Sequence, residues 1–260
     1  MAKKKVKSEI VNQTKLADDI FSMTIKNKEM ADEAVPGQFL ALYTADPSKL
    51  LPRPISICDV NKQKGTIRMV YRVAGGGTKE FSELKSGDMI DVMGPLGNGY
   101  EINAEEPILM GGGIGIPPML YLAKTLSEKG VAKGNINVIL GFRDKTFLVD
   151  DFKKYATVHI ATDLGTVGFK GNVIDLVKEE NIKGDMIFAC GPTPMLKGVK
   201  KFAFLEDVPA QISLEEKMAC GIGACLACVC KTAETDEHFH TNTRRVCKDG
   251  PVFYAEEVEL

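Results

Sequence analysis

The sequence predicts an α+β chain of several domains: an antiparallel β-barrel, an α/β domain with a parallel sheet, and a small C-terminal module. Three observations predict this fold class. Short strands fill the first hundred residues, strands and helices alternate in the next hundred, and four of the seven cysteines lie within residues 220–230. We expect the domains to span residues 1–101, 102–211 and 212–260.

Composition limits the classes of function. The chain has 33 basic and 35 acidic residues, so nucleic acid is not an expected partner, because phosphate binding needs a basic field. The longest uncharged run, residues 107–123, falls short of the ~20 residues of a membrane span, and no membrane association is expected. Cysteines without a signal-like apolar stretch favour a reducing cytoplasm.

The first domain consists of apolar and β-branched stretches separated by turn residues such as Pro36-Gly37. This spacing is typical of a small antiparallel barrel or sandwich. Strands are predicted within residues 6–26 and at residues 38–43, 53–60, 65–73 and 88–93.

Two motifs in this domain suggest a flavin site. Arg53-Pro54-Ile55-Ser56 combines a cation, a rigid turn and a hydroxyl, so Arg53 is a candidate for a flavin pyrophosphate and Ser56 for the flavin ring. The alternative for Arg53 is an ordinary surface arginine. Val70-Tyr71-Arg72 and the stretch Gly75-Gly76-Gly77-Thr78 repeat the pattern, the latter at a predicted helix start.

Strands and helices alternate after Tyr100, which indicates a parallel sheet covered on both faces. Strands are predicted at residues 108–110, 137–142, 157–162, 185–190 and near 210–214, and helices at residues 117–129, 173–180 and 194–204.

Two glycine-bearing turns follow strands of this sheet. The run Gly111-Gly112-Gly113-Ile114-Gly115 precedes a helix, whose N-terminus favours phosphate. It departs from the dinucleotide fingerprint, because Pro118 stands where the third glycine belongs. A packing turn between strand and helix is the alternative.

The second turn is Cys190-Gly191-Pro192. Ligands of open α/β sheets bind at the carboxyl ends of strands, so two such turns on one edge suggest a nicotinamide nucleotide. Cys190 is a candidate for bordering the nicotinamide ring, the alternative being a buried cysteine that acts as a small apolar residue. Arg143 and Asp144, which follow the second predicted strand of this sheet, indicate opposite cofactor preferences. An arginine there favours the 2′-phosphate of NADP, and an acidic residue favours the free ribose 2′-OH of NAD.

The cysteines carry the most specific signal. Cys220, Cys225 and Cys228 follow Cys-x4-Cys-x2-Cys, the plant-type spacing of a [2Fe–2S] cluster. Cys230 and Cys247 are the candidates for the fourth ligand; Cys247 is favoured because it comes from a separate segment followed by a turn signal. Gly221 and Gly223 are expected to allow the tight turns that aim backbone N–H groups at sulfur. A structural zinc site and a disulfide framework are the alternatives.

Together these motifs resemble the ferredoxin–NADP reductase superfamily. Arg-Pro-x-Ser, Gly-Pro-Leu-Gly at residues 94–97, Gly-Gly-Gly-x-Gly-x-x-Pro and Cys-Gly-Pro-x-Pro-Met carry the resemblance. The added cysteine tail, with Val246-Cys247-Lys248-Asp249-Gly250-Pro251, is similar to the family of electron transfer subunits of the NAD-linked bacterial dihydroorotate dehydrogenases.

The resemblance implies three bound groups and a partner. The groups are FAD, a [2Fe–2S] cluster and NAD as substrate, and the partner is an FMN-containing catalytic subunit in a heterotetramer of two copies of each, acting in pyrimidine (UMP) biosynthesis. It places FAD on Arg53, Pro54, Ile55, Ser56, Val70, Tyr71, Arg72, Gly77 and Thr78, and the cluster on Cys220, Cys225, Cys228 and Cys247. Electrons would pass from FMN through the cluster and FAD to NAD+.

Two other functions remain open from the sequence. One is the flavin subunit of another cytosolic NAD(P)H:acceptor oxidoreductase, of the sulfide dehydrogenase or transhydrogenase type. The other is a zinc-bearing adaptor on a reductase fold, without a redox role.

Overall fold

A computed structural model of the chain describes residues 4–235 and 241–260. The strands between Lys5 and Leu96 form a closed six-stranded antiparallel barrel, hydrogen-bonded in the order β1-β2-β5-β4-β3-β6. The strands are β1 (Lys5–Lys15), β2 (Ile20–Lys26), β3 (Phe39–Tyr43), β4 (Arg53–Asn61), β5 (Thr66–Arg72) and β6 (Met89–Leu96). The predicted barrel is confirmed.

Two helices accompany the barrel, α1 (Lys28–Glu33) and α2 (Gly76–Glu83). No sequence pattern predicts α1, because six residues are too few to show a helical period. It begins at Asn27, whose side chain accepts a hydrogen bond from the Met30 N–H at 3.1 Å. Helix α2 begins at the glycine stretch, where a helix start is predicted.

The α/β domain contains a seven-stranded sheet in the order β10-β9-β8-β7-β11-β12-β15. All neighbours are parallel except β12 and β15. The strands are β7 (Pro107–Gly112), β8 (Asn137–Phe142), β9 (Thr157–Thr162), β10 (Phe169–Lys170), β11 (Met186–Cys190), β12 (Ala210–Ser213) and β15 (Val252–Tyr254), and the helices are α3 (Ile116–Glu128), α4 (Val149–Phe152), α5 (Val173–Glu179) and α6 (Thr193–Glu206).

Both faces of this sheet are buried, as its near-continuous apolar strands predict. Leu109, Val138 and Leu140 pack with α3 on one face. The neighbouring residues of the same strands, such as Met110 and Ile139, pack with α5 and α6 on the other face.

The C-terminal segment, described at residues 214–235 and 241–260, begins after β12 and returns to the same sheet. It contains a two-stranded ribbon of β13 (Val229–Lys231) and β14 (Thr243–Arg245). Its last strand, β15, then pairs antiparallel with β12, with Phe253 opposite Ile212. The cysteine-rich stretch is therefore anchored in the α/β sheet at both ends.

The barrel and the α/β domain meet around α3 and α4, through apolar packing that includes Cys58 and Val70 and through ion pairs. Lys124 forms an ion pair with Asp59 at 2.8 Å, and Arg68 forms one with Asp151 at 2.9 Å. Among the helices of the described residues, none combines the length and apolar character that crossing a bilayer requires.

Candidate functional site

The first part of the site is a cationic cradle on the barrel. Arg53 opens β4, and Gly77 lies in the first turn of α2. A Cβ on Gly77 would lie 2.0 Å from Arg53 Nε, so the guanidinium rests directly on this turn. The first N–H groups of a helix have no partner within it, and the helix dipole makes this end positive. Guanidinium and helix end together suit a diphosphate.

Arg53 is available for such a ligand. Its hydrogen bonds go to the backbone carbonyls of Lys49 and Leu51, and no carboxylate among the described residues pairs with it. The neighbouring Lys49 is instead paired with Asp46 and Glu80, at 3.1 and 3.0 Å. An unpaired guanidinium beside a helix N-terminus favours an anionic ligand.

The strand that carries Arg53 is partly exposed on both of its faces at this point, although it pairs with β3. Residues 53–56 are all partly exposed, whereas Ile57 and Cys58, which follow on the same strand, are fully buried. A barrel strand normally alternates between core and solvent, so a run of partly exposed residues indicates a cleft. The Thr78 hydroxyl accepts hydrogen bonds from the N–H groups of Ala74 and Gly75, which fixes the loop that enters α2.

The motif of residues 70–72 divides between two faces of β5. Tyr71 points into the barrel core and is 1% exposed; its hydroxyl accepts a hydrogen bond from the Gln13 amide at 2.9 Å. Val70 packs on the α3 side, and Arg72 is exposed and paired with Asp19 at 3.1 Å. Contact between Tyr71 and a flavin would therefore run through its backbone.

The second part of the site is the carboxyl edge of the α/β sheet. From β7 the chain builds β8, β9 and β10 on one side and then places β11 on the other, so β7 and β11 flank the point where the strand order reverses. Nucleotides bind open α/β sheets in that crevice. Gly111 of the glycine run lies directly opposite Cys190 in the sheet.

The two glycine-bearing turns touch each other at this edge. A Cβ on Gly115 would lie 2.3 Å from the Cys190 carbonyl oxygen, and one on Gly112 would lie 2.4 Å from Met195 Sδ. Gly113 adopts φ +54°, in the left-handed region, as the chain enters α3. The glycine run therefore packs closely, as expected for a packing turn between strand and helix. It also leaves a surface free of side chains between the ends of β7 and β11.

Cys190 is partly buried at the end of β11. Burial raises the pKa of its thiol to about 12, and a hydrogen bond with Ser213 opposes that rise. The thiol is thus neutral and sits beside the crevice, at the end of the strand that flanks it. Arg143 and Asp144 follow β8 on the same edge; Asp144 lines a cavity of about 530 Å³ with residues of the β1–β2 turn, and Arg143 is exposed.

The third part of the site is the cysteine loop. Gly221 and Gly223 adopt φ +72° and +81°, as predicted. The resulting turns aim backbone N–H groups at sulfur: Gly223 N lies 3.1 Å from Cys247 Sγ, and Ala224 N lies 3.3 Å from Cys220 Sγ. The N–H of Cys247 points in turn at Cys228 Sγ, at 3.4 Å.

These thiols interact as two pairs. Partial burial acts to raise the pKa of Cys220, but hydrogen bonds from the Ile222, Cys225 and Ala224 backbone and from the Cys225 thiol outweigh it and lower the pKa to about 6. Burial and then the neighbouring Cys228 thiol raise the pKa of Cys247 to about 12. Each iron of a [2Fe–2S] cluster takes two protein ligands, so two pairs, Cys220 with Cys225 and Cys228 with Cys247, suit that cluster.

A single metal ion fits this arrangement less well. Structural zinc needs four ligands around one ion. Within residues 4–235 and 241–260, no group of three or more His, Cys, Asp or Glu side chains is placed to hold one ion. Cys230 lies on β13, opposite Arg244, and burial raises its pKa. Cys58 is buried between barrel and α3, where burial raises its pKa to about 12.

The cysteine loop lies against the barrel. The Cβ position of Gly221 is 3.3 Å from Leu96 Cδ1 and 3.9 Å from Ala41 Cβ. Ala41 is in turn opposite Pro54 of the flavin motif, across the β3–β4 pair. Neighbouring strands are about 4.8 Å apart, so the loop and the cradle strand are separated by one strand.

Sequence reasoning missed the polar groups that hold this loop. Arg245 forms a two-pronged ion pair with Asp249, with both N–O distances 2.9 Å, and also donates to the Gly223 carbonyl at 3.2 Å. The Asp249 carbonyl accepts from the Asn98 side chain at 3.0 Å. A charge pair four residues apart was the available local signal, whereas the contacts to residues 98 and 223 are long-range.

Comparisons with known proteins place these parts in a family. A family model described as the iron-sulfur cluster binding domain of dihydroorotate dehydrogenase B matches residues 215–259, and one for an oxidoreductase FAD-binding domain matches residues 7–100. A Listeria innocua protein named dihydroorotate dehydrogenase B (NAD(+)), electron transfer subunit, is 44% identical over 256 residues, which cover 96% of this chain and 97% of the relative. Identically named proteins of Bacillus velezensis and Caldanaerobacter subterraneus are each 42% identical, over 264 and 255 residues, with 98% or more of both chains covered.

Solved structures share the fold. A structure described as an NADH-dependent reduced ferredoxin-NADP oxidoreductase is 35% identical, with a TM-score of 0.85, and the match covers 97% of this chain and 89% of that one. Phthalate dioxygenase reductase has a TM-score of 0.60 at 18% identity, with 94% of each chain covered, and shows the likeness of fold alone.

Proposed function

We propose a path for electrons through this chain, which belongs to the family of electron transfer subunits of NAD-linked dihydroorotate dehydrogenase B. In this proposal the chain takes electrons from a catalytic subunit that carries FMN and oxidises dihydroorotate, and it delivers them to NAD+. The reaction belongs to the synthesis of pyrimidine nucleotides. The chain is an oxidoreductase subunit and does not itself bind dihydroorotate.

The observation that carries the proposal is the spatial order of the three sites. The cysteine loop packs on Ala41 of β3, and the flavin motif of β4 lies on the other side of that residue. The barrel then meets the α/β domain along α3, whose N-terminus lies at the nucleotide crevice. A cluster, a flavin and a nicotinamide bound at these sites would follow one another in that order.

The residues of the chain have separate tasks in this path. Arg53 and the first turn of α2 hold the diphosphate of FAD, and Ser56, on the partly exposed stretch of the same strand, lies beside its ring system. The glycines at the ends of β7 and β11 let the NAD diphosphate approach the backbone, with Cys190 beside the nicotinamide. Bound FAD would accept single electrons from the iron–sulfur centre and pass a pair to NAD+ as hydride.

The ligands of the cluster are Cys220, Cys225, Cys228 and Cys247 in this proposal. Their pairing, and the N–H groups directed at Cys220, Cys228 and Cys247, carry the assignment. Hydrogen bonds to sulfur stabilise the negative charge of such a cluster and help to set its potential.

The partner docks on the exposed face of the cysteine loop. Ile222, Leu226 and Val229 are 51%, 61% and 42% exposed, and Cys225 is exposed beside them. Apolar side chains grouped on a surface mark sites of protein association. A catalytic subunit bound there would place its FMN next to the cluster, and two copies of each chain would form the heterotetramer.

The test is co-purification with the catalytic subunit. The complex of the two chains should oxidise dihydroorotate with NAD+, and the isolated chain should show only NADH oxidation with an artificial acceptor. Leu226→Glu should weaken the complex and leave that NADH activity intact, because Leu226 lies in the cysteine loop, apart from the flavin cradle and the nucleotide crevice that this activity uses. Phe204→Glu is the matched control, since Phe204 is 84% exposed on α6, outside the cysteine loop. Dihydroorotate oxidation by this chain alone would refute the division of labour.

A second candidate function follows from one comparison. The likeness to the NADH-dependent reduced ferredoxin-NADP oxidoreductase favours a flavin subunit of a transhydrogenase-type enzyme. In that case the chain would co-purify with a partner that oxidises NADPH or ferredoxin, and the complex would be inactive with dihydroorotate. Visible absorbance of the purified chain separates both candidates from a zinc adaptor, because flavin and [2Fe–2S] absorb visible light and zinc does not.

A further inference from the structure

Arg245 contacts each part of the chain that shapes the cysteine site. Its Nη1 donates to the Gly223 carbonyl in the three-cysteine loop at 3.2 Å. Its backbone pairs with Val229, next to Cys228. Its backbone carbonyl accepts hydrogen bonds from the N–H groups of Lys248 and Asp249, at 3.0 and 2.7 Å, and so closes the turn that contains Cys247.

Asp249 extends these contacts to the barrel. The carboxylate binds Arg245 with both oxygens and also accepts from the Arg245 N–H at 2.8 Å. The Asp249 carbonyl accepts from Asn98, which follows the last barrel strand, and the Asn98 N–H donates to the Gly250 carbonyl at 2.6 Å. One ion pair thus joins the two cysteine-bearing segments to each other and to the barrel.

The pair is also the source of two opposite charges beside the thiols. Arg245 lies two residues before Cys247, and Asp249 lies two residues after it. The side chains are only 31% and 23% exposed, so their charges are screened less than those of free surface groups. A cation there favours the more negative, reduced form of a cluster, and an anion disfavours it.

We propose that Arg245, paired with Asp249, is the positioning residue of the iron–sulfur site: its forked contacts hold the loop of Cys220, Cys225 and Cys228 in register with Cys247, and the balance of the two charges sets the reduction potential of the cluster. This inference rests on the proposed function, because it requires a cluster on these four cysteines.

The test compares charge changes of opposite sign on the holoprotein. Arg245→Met leaves Asp249 without its cation, and Asp249→Asn leaves Arg245 without its anion. We expect the midpoint potential, followed by EPR in a redox titration, to become more negative in the first variant and more positive in the second. A role in structure alone would not produce shifts of opposite sign.

Two further variants separate geometry from charge. Arg245→Lys keeps the cation but loses the fork that binds Asp249 and the Gly223 carbonyl together. We expect a potential nearer to wild type than in Arg245→Met, together with faster loss of iron to a chelator. Lys231→Met is the control for removal of a positive charge, since Lys231 is an exposed residue of the same ribbon, and it should leave potential and iron content unchanged.

The FAD content of each variant reports whether the rest of the chain is folded. Loss of iron from Arg245→Met with FAD retained supports the positioning role. Wild-type potential and iron retention in both Arg245→Met and Asp249→Asn would overturn it. A wild-type chain that contains FAD but binds no iron–sulfur cluster after reconstitution would instead refute the proposed function, so the two failures are distinguishable.

Discussion

The barrel and α/β domain differ from the C-terminal segment in how they hold their cofactor sites. In the first two, the candidate residues stand at the ends of regular elements that are far apart in sequence, as Arg53 and Gly77 do. In the segment, three of the four proposed ligands lie within nine residues, and turns and hydrogen bonds to sulfur place them. The nucleotide sites therefore depend on the fold, whereas the cluster site depends on local turns and on docking against the barrel.

The largest expected effect tests whether the C-terminal segment can lose its cluster while the barrel and the α/β domain keep their function. Cys247→Ser should abolish the cluster, because it removes one of the two ligands of an iron, while Cys230→Ser should leave iron, sulfide and the EPR signal near wild type. FAD content and NADH oxidation with an artificial acceptor should persist in both variants. If Cys230→Ser loses the cluster and Cys247→Ser keeps it, the ligand set proposed above is wrong.

The next effect tests the cradle of the barrel. Arg53→Ala removes the proposed charge-assisted phosphate contact, which would be worth roughly 1.5–3 kcal/mol, so the FAD affinity should fall about ten- to a hundredfold. Gly77→Ala should do the same by displacing the Arg53 head group, whose Nε is 2.0 Å from the new Cβ. FAD retained after gel filtration measures both. Full FAD occupancy of both variants at nanomolar concentration would exclude a role for the cradle.

A smaller effect tests the nucleotide edge. In Gly115→Ala the new Cβ meets the backbone oxygen of Cys190 at 2.3 Å, so the turn after β7 must move away from the end of β11. The free energy of unfolding should fall by about 1–3 kcal/mol and the KM for NADH should rise, with the cluster intact. Gly134→Ala is the matched control, because no atom lies within 4 Å of its Cβ position. An unchanged KM would show that this edge is only a packing turn.

The smallest effect concerns the contact between the barrel and the α/β domain. Burial acts to raise the pKa of Asp151, but Lys154 and Arg68 outweigh it and lower the pKa below 3.8. The contacts of ionised Asp151 with Lys154 and Arg68 therefore contribute their full stabilisation of the folded state above pH 3.8, the ordinary pKa. This stabilisation is lost as the pH falls through the lower pKa that Asp151 has in the folded protein. Because both partners are partly exposed, Asp151→Asn should cost only about 0.2–1 kcal/mol at pH 7.

The difference between Asp151→Asn and wild type should shrink toward pH 3 in urea unfolding. Asp150→Asn is the control, since Asp150 pairs with Lys153 on the surface and is 93% exposed. A difference that grows as the pH falls would contradict the sign of this argument.

The sequence predicted the parts whose signals are local. Strand alternation, the switch to strands followed by helices, and the cysteine spacing each require only neighbouring residues. Helix α4 and strands β10 and β15 were not predicted, because elements of two to four residues show no period. The contact of Arg53 with Gly77 and that of Arg245 with Gly223 join residues 24 and 22 positions apart, so no local pattern announces them.

The burial of Tyr71 follows from the alternation of side chains along β5, which is a pattern visible in the sequence. Tyr71 alternates with Val70 and Arg72 along β5, so the three side chains cannot face one ligand. Reading the motif with a period of two would have separated the aromatic residue from its neighbours. The cradle itself could not be derived in this way, because it depends on where α2 lies relative to β4.

Strand β15 pairs with β12 and so covers an edge of the sheet that would otherwise be open. Strand β12 is buried along all four of its residues, and β15 covers the side that β11 does not. An uncovered strand edge presents unpaired backbone N–H and C=O groups and is a template for pairing with other chains. The cysteine-bearing segment lies between β12 and β15. Because these two strands pair with each other, the sheet and not the cluster brings the two ends of that segment together. A chain cut before Val252 would therefore lose its cluster scaffold and gain an aggregation-prone edge in one step.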